Sequence, residues 1–151
     1  MTELSLKHKT AALEKAIVDG LLEKKGENAI VMDFSKMQNT AFERFVICSG
    51  NSTTQVAAIA DAIIERSIAA CKEKPWHTEG LHNAEWVLLD YGNIVVHIFL
   101  PEKREFYKLE DLWADAIMRP VVPYVVKEKK RINTPKFLVK NRMRRFEETN
   151  N

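Results

Sequence analysis

Two runs of β-forming residues, Ala84–Tyr91 and Ile94–Leu100, flank the dipeptide Gly92-Asn93. A two-residue loop with Gly first predicts a β-hairpin with a type II′ turn. The turn fixes the register, because successive side chains of a strand point to opposite faces. In that register one face consists of three largely apolar pairs: Tyr91 with Ile94, Leu89 with Val96, and Val87 with Ile98. This face is therefore predicted to lie in the core.

The opposite face of the hairpin mixes aromatic, apolar and ionisable groups. Its three pairs are Asp90 with Val95, Leu88 with His97, and Trp86 with Phe99. If helices cover only the first face, these side chains are exposed, and an exposed Trp beside aliphatic residues is typical of protein-binding hot spots. The alternative is that a helix covers this second face as well.

Apolar periodicity predicts three helices elsewhere in the chain, at residues 10–25, 55–71 and 107–118. Gly26 is expected to cap the first helix in the left-handed conformation. Four residues of the third helix are expected to face inward: Leu109, Leu112, Trp113 and Ala116. Further strands are predicted at residues 29–34, 42–48 and 76–79, which brings the predicted total to five strands.

The turn SGNSTTQ, residues 49–55, joins a strand to a helix, a position where many proteins bind phosphate. It has one Gly and no Lys, so it lacks both the phosphate-loop and the dinucleotide-binding patterns. Ser52 and Gln55 instead have the spacing of a capping box. The sequence favours a helix start, with a bound phosphate as the alternative.

Metal and redox chemistry have little support in the sequence. His77, Glu79 and His82 are close together, but their spacing matches no common zinc pattern, so no metal site is predicted. Cys48 and Cys71 lie in apolar segments without CxxC spacing. Both are predicted to be buried, reduced thiols, which is consistent with the cytoplasm.

The charge is distributed unevenly along the 151 residues. Residues 1–126 carry 14 Lys and Arg against 18 Asp and Glu, whereas residues 127–151 carry nine against three. A basic tail suggests contact with RNA, since Lys and Arg gain affinity by releasing phosphate counterions. The alternative is a frayed, solvated tail. We predict a domain at residues 1–120 and a basic tail at 121–151, with a tail helix beginning near Thr134-Pro135.

No apolar run approaches the ~20 residues of a membrane span, so no membrane contact is predicted. The N-terminus has mixed charge and no apolar run, and it is not expected to be a secretory signal.

One long stretch carries a family resemblance. The segments FVICSGNSTTQVAAIADAI and EGLHNAEWVLLDYGNIVVHIFLPEKREFYKLEDLWADA resemble the ribosomal silencing factor family, RsfS, also called Iojap. The resemblance covers about residues 10–118. It implies an α/β (α+β) domain with a single mixed sheet of about five strands, helices packed on the sheet, and a nucleotidyltransferase-like outline.

The resemblance also implies a function without catalysis. Proteins of this family bind the fourteenth protein of the large ribosomal subunit and sterically block joining of the small subunit, which lowers translation under starvation. Relatives in organelles assist large-subunit assembly, which is one alternative. A nucleotidyltransferase-like enzyme is the other, although such chemistry needs paired metal-binding carboxylates and no Asp-x-Asp follows Gly50. No cofactor is expected.

The resemblance places the partner-binding surface on the family motif. Trp86 is the expected anchor, and Leu88, Asp90 and His97 share its predicted face. Tyr91 ends the motif strand, but the register puts it on the core side. Arg104, Phe106 and Tyr107 follow the hairpin and extend the expected contact, with a place in the core as the alternative for Phe106. An apolar face without its partner often self-associates, so a homodimer of the free protein is a further expectation.

Overall fold

The computed structural model describes residues 2–126, which form one mixed six-stranded sheet with helices packed on it. The strands are β1 (Glu27–Asp33), β2 (Arg44–Ser49), β3 (His77–Glu79), β4 (Trp86–Asp90), β5 (Ile94–Phe99) and β6 (Ile117–Pro120). Their order in the sheet is β3-β4-β5-β2-β1-β6, with β2 and β5 parallel and the other neighbours antiparallel. The predicted α+β class is confirmed, with six strands instead of about five.

The hairpin of β4 and β5 has the predicted register. Trp86 pairs with Phe99, Leu88 with His97, and Asp90 with Val95. Gly92 in the turn has φ +88°, a left-handed value that glycine adopts without strain. All six residues assigned to the apolar face are buried. Turn chemistry and alternation therefore placed the centre of the sheet correctly.

Two long helices, α1 (Glu3–Glu23) and α2 (Thr53–Cys71), cover that apolar face of the sheet. They approach closely at Gly20, where a Cβ would lie 2.8 Å from the Cα of Ile63. α1 begins seven residues before the predicted start, because the Thr2 side chain caps it by accepting from the Ser5 amide. The predicted role of Gly26 is wrong, since Lys25 takes the left-handed conformation, with φ 59°.

The N-terminus of α2 confirms the capping interpretation of the SGNSTTQ turn. The Ser52 hydroxyl accepts from the Gln55 amide at 3.1 Å, and the Gln55 side-chain oxygen accepts from the Asn51 amide at 2.7 Å. The Gln55 side-chain nitrogen also donates to the carbonyls of Lys24 and Lys25. The turn therefore starts a helix and joins it to the end of α1.

The region after the hairpin differs from its prediction. The expected helix at 107–118 is replaced by α3 (Pro101–Tyr107), α4 (Leu109–Leu112) and strand β6. Pro101 occupies the first turn, where its missing amide costs nothing, so the helix starts early. Lys108 then takes a left-handed conformation, which ends α3. Leu112, expected to face inward, is exposed.

Strand β6 forms because its backbone pairs with β1, from Ile30 opposite Pro120 to Asp33 opposite Ile117. The backbone hydrogen bonds of this pairing come from a segment about 85 residues earlier in the chain, so the apolar periodicity around residue 117 gives no sign of them. Pro120 fits here since an edge strand leaves one side of its backbone unpaired.

The two cysteines differ in burial. Cys48 is fully buried, and burial raises the pKa of its thiol to about 12. Cys71 is only half-buried, so the expectation of two buried thiols is wrong for Cys71. Within residues 2–126, none of the helices is long and apolar enough to cross a membrane. The predicted tail helix lies outside the described residues.

Candidate protein-docking surface

The second hairpin face is partly covered, an outcome between the two alternatives of exposure and of cover by a helix. His97 and Phe99 are 4% and 1% exposed, while Trp86 and Leu88 are half-buried. The cover comes from the protein's own aromatic rings: Phe45 lies 4.7 Å from His97 and Trp86 lies 4.9 Å from Phe99, between ring centroids. This face holds a second apolar cluster, built on Met32, Phe34, Phe45, Ile47, Val95, Phe99 and Ala116.

An exposed group of aromatic side chains lies at one edge of this cluster. Tyr107 packs against the Trp86 ring at 4.6 Å, and Phe106 packs edge-on against Tyr107 at 5.0 Å. Phe106 is 78% exposed and Tyr107 is 45% exposed. We call Trp86, Leu88, Phe106 and Tyr107 the aromatic patch. The structure thus brings together four of the eight predicted site residues.

Helix α3 carries two of these rings, and Arg104 anchors it. The Arg104 guanidinium donates to the Glu110 carboxylate at 2.9 Å and to the Ser49 hydroxyl at 3.0 Å. Its side chain is mostly covered. Arg104 therefore fixes α3 to Glu110 and Ser49, and the donors of these bonds are directed at the protein itself.

His97 lies beneath the patch and not on the surface. Its Nδ1 accepts a hydrogen bond of 3.2 Å from the Trp86 indole Nε1–H. Burial lowers the pKa of His97 to about 4, so the imidazole is neutral near pH 7. His97 shares the face of Trp86 as predicted, but it is not exposed there, because Phe45 and the indole cover it.

Tyr91 and Asp90 lie away from the patch. Tyr91 is buried on the helix side, where its hydroxyl is 2.8 Å from the Ser67 hydroxyl. Asp90 accepts from the Gly92 amide at 2.7 Å, at the turn end of β4 and about 13 Å along the strand from Trp86. Asp90 therefore lies on the predicted face, but its carboxylate stabilises the hairpin turn and does not contribute to the patch.

A cleft of about 290 Å³ borders the patch, between Trp86, Leu88 and Tyr107. Sequence reasoning did not identify its other lining residues, Glu79, Gly80, Asn83, Glu85 and Lys103. The Lys103 amine lies 3.8 Å from the Glu85 carboxylate. One cation against two carboxylates makes this border acidic. Four of these residues come from the end of β3 and the loop that follows it, and the packing of α3 against Trp86 adds Lys103, so the sequence carried no signal for the cleft.

A metal at His77, Glu79 and His82 was considered from the sequence. His77 and Glu79 form a direct contact of 2.9 Å. Within the described part of the chain, no group of three His, Cys, Asp or Glu residues is placed to hold a metal ion.

Acid is expected to destabilise the fold through His97. The pKa of its imidazole is about 4 in the folded protein against about 6.5 in the unfolded chain. Between these values the unfolded chain binds a proton that the folded protein does not. The free energy of unfolding therefore decreases as the pH is lowered, by up to about 3 kcal/mol at pH 4. Denaturant titrations from pH 7 to pH 4 measure this loss. His97→Leu should lose about 3 kcal/mol less, and an equal loss in both proteins would contradict the prediction.

The fold and the patch together define the class: a small α+β domain on one mixed sheet, with an exposed aromatic surface of the kind that macromolecular partners bind. Residues 7–150 match the family described as "Ribosomal silencing factor during starvation". The chain belongs to this family, the ribosomal silencing factors, RsfS, which includes the Iojap proteins.

Three relatives show the range of the similarity. The chain is 34% identical over 101 residues to a ribosomal silencing factor RsfS of Chromobacterium violaceum, covering 67% of this chain and 81% of the relative. A crystal structure of a protein from the same organism has a TM-score of 0.64 and 30% identity, covering 78% of this chain and 92% of that one. A mouse protein named "Mitochondrial assembly of ribosomal large subunit protein 1" is 38% identical over 71 residues, which span 46% of this chain and 31% of the mouse protein.

Proposed function

We propose that this protein binds the large ribosomal subunit through that subunit's fourteenth protein and sterically blocks joining of the small subunit. Translation then falls under starvation. The protein acts in the cytoplasm as an obstacle and needs neither catalytic turnover nor a cofactor. A folded domain of this size, within a chain of 17.4 kDa, is bulky enough to exclude a partner surface.

The observation that carries the proposal is the half-buried Trp86 in contact with the exposed ring of Tyr107, against which the exposed ring of Phe106 packs in turn. Partly buried aromatic anchors supply most of the binding energy in many protein interfaces. The acidic border of the cleft, with Glu79 and Glu85, favours a partner surface that presents cations. The same apolar patch would let the free protein pair with a second copy.

Sedimentation of ribosomal subunits tests the proposal. Purified large subunits are incubated with the protein, small subunits are added, and the mixture is separated on a sucrose gradient. We expect the protein to sediment with large subunits and the joined-ribosome peak to fall in proportion to the protein added. Adding the protein to small subunits alone is the control. Unimpaired joining at saturating protein would refute the proposed mechanism.

Assistance in large-subunit assembly is the second candidate, and the name of the mouse relative favours it. Depletion of the protein distinguishes the two. Depletion of an assembly factor would leave incomplete large subunits even in growing cells. Depletion of an anti-joining factor would leave large subunits complete and would raise the fraction of joined ribosomes during starvation.

The basic segment 127–151 is proposed to contact ribosomal RNA, on the basis of its nine Lys and Arg residues against three acidic ones. Deleting it should flatten the dependence of ribosome affinity on salt, by roughly 0.7–0.9 in the log–log slope for each phosphate that the segment neutralises. Binding measured over a range of salt concentrations gives the slope. A full-length variant with these Lys and Arg residues changed to Gln separates charge from length. An unchanged slope in both variants would assign the segment no electrostatic role.

A further inference from the structure

His97 places a polar side chain in an apolar part of the sheet. It is 4% exposed, and its ring centroid lies 4.7 Å from that of Phe45 and 6.1 Å from that of Phe99. Val95 and Phe99, which flank it on the same face of β5, are both apolar and buried. An aliphatic side chain would fill this place without burying a polar group. The imidazole therefore needs an explanation other than packing.

The hydrogen bond from the Trp86 indole explains why an imidazole lies at this place. An indole Nε1–H can only donate, so the Nδ1 of His97 is the acceptor across their 3.2 Å contact. The imidazole is then neutral, with its proton on Nε2, and Nε2 is buried without a hydrogen-bond partner in residues 2–126. Burial lowers the pKa of His97 to about 4, which keeps Nδ1 an acceptor at neutral pH. The imidazole therefore keeps the hydrogen bond at Nδ1, although its Nε2–H has no acceptor in residues 2–126.

This bond fixes a rotation that the ring contacts leave open. The indole stacks on Phe99 with an interplanar angle of 24° and leans on Tyr107 at 42°. Stacking holds the plane of the indole, but it discriminates poorly between two orientations related by a half-turn of the ring. That half-turn would carry Nε1 away from the Nδ1 of His97. The hydrogen bond therefore selects one of the two orientations.

We propose that His97 is a positioning residue for the docking surface: it holds Trp86 in one orientation before a partner arrives and satisfies the indole N–H from inside the protein. The inference rests on the proposed function, in which Trp86 is the anchor. An anchor that is already oriented loses less side-chain freedom on binding, so the affinity is higher. The partner meets the indole as an apolar surface and needs no acceptor for its N–H.

His97→Leu tests this, because leucine is apolar and close to histidine in volume but cannot accept a hydrogen bond. Indole N–H signals of Trp76, Trp86 and Trp113 are followed by ¹H–¹⁵N NMR, with Trp86→Phe identifying the Trp86 signal. In His97→Leu we expect the Trp86 signal to shift and its N–H to exchange faster with water. Affinity for purified large subunits should fall roughly three- to tenfold. His97→Asn, which offers an acceptor oxygen, should recover part of that affinity.

A double-mutant cycle separates positioning from general packing. Trp86→Phe has no ring N–H, so adding His97→Leu to it should change subunit affinity by less than about twofold. An equal loss in both backgrounds, or an unchanged Trp86 signal with wild-type affinity in His97→Leu, would overturn the inference. His97→Met replaces His97→Leu if the latter does not fold. If Trp86→Ala loses affinity and His97→Leu does not, the role of His97 is refuted and the docking surface stands. If Trp86→Ala keeps its affinity, the proposed docking surface itself is refuted.

Discussion

Replacing Trp86 with alanine is expected to weaken binding to large ribosomal subunits by at least ~2 kcal/mol, or roughly thirtyfold in the dissociation constant. The indole is the centre of the aromatic patch, in contact with Phe99 below and Tyr107 beside it. Truncation removes the anchor and also withdraws the support that orients Tyr107. Co-sedimentation of labelled protein with large subunits over a concentration series measures the change.

Trp76→Ala is the matched control for this prediction. Trp76 is 81% exposed, so it presents the same kind of ring to solvent, but it lies directly before β3. Its ring packs near Gly92, at the opposite end of β4 from Trp86. Its removal should leave subunit affinity unchanged. Thermal melting verifies that both variants fold. Wild-type affinity in a folded Trp86→Ala, or equal losses in both variants, would refute the placement of the docking surface.

The second large effect is expected at Gly80, which joins the end of β3 to the turn before β4. Gly80 has φ +77°, and a Cβ there would lie 1.9 Å from the carbonyl oxygen of Trp86. Backbone cannot yield to such a contact as a side chain can, so β3 or the start of β4 must move. We expect Gly80→Ala to lower the free energy of unfolding by at least about 3 kcal/mol, from the clash and the left-handed backbone together. Denaturant titration measures the decrease.

Gly92→Ala separates the two causes of that decrease. Gly92 also has a left-handed backbone, with φ +88°, but a Cβ there would meet the exposed Trp76 ring at 3.1 Å, and that ring is free to move aside. Its cost should be close to that of the backbone conformation alone, about 1–2 kcal/mol. A decrease in Gly80→Ala no greater than that in Gly92→Ala would show that the clash with Trp86 is relieved cheaply. In a folded Gly80→Ala, the displaced Trp86 should also weaken subunit binding.

The accuracy of the sequence-based predictions followed the range of the interactions involved. The hairpin register and the Ser52–Gln55 cap were correct because residues two to four positions apart determine both. The helix predicted at 107–118 was wrong at its C-terminal end because the backbone of β1 pairs with residues 117–120, and this long-range pairing is not contained in the local apolar spacing. Lys108 ends α3 in a left-handed conformation, which is not predictable from a lysine at this position.

The candidate site shows the same division. The hairpin register placed Trp86 on the mixed face, whereas Phe106 and Tyr107 were named only from the family resemblance. The sequence could not separate Trp86 from His97, which share one face of the hairpin. Phe45 of the neighbouring strand buries the imidazole, and α3 folds back to place Tyr107 against the indole.

The hairpin, its two unlike faces and the start of the second long helix follow from local sequence, because turn geometry, strand alternation and capping act between close neighbours. Which part of the mixed face stays open depends on the fold of the whole chain, since the segments that cover a sheet are far apart in sequence. In this fold Trp86 lies half-buried at the surface and His97 lies beneath it. The physical reason is that burial is a property of the whole packed chain, whereas a turn is a property of a few adjacent residues.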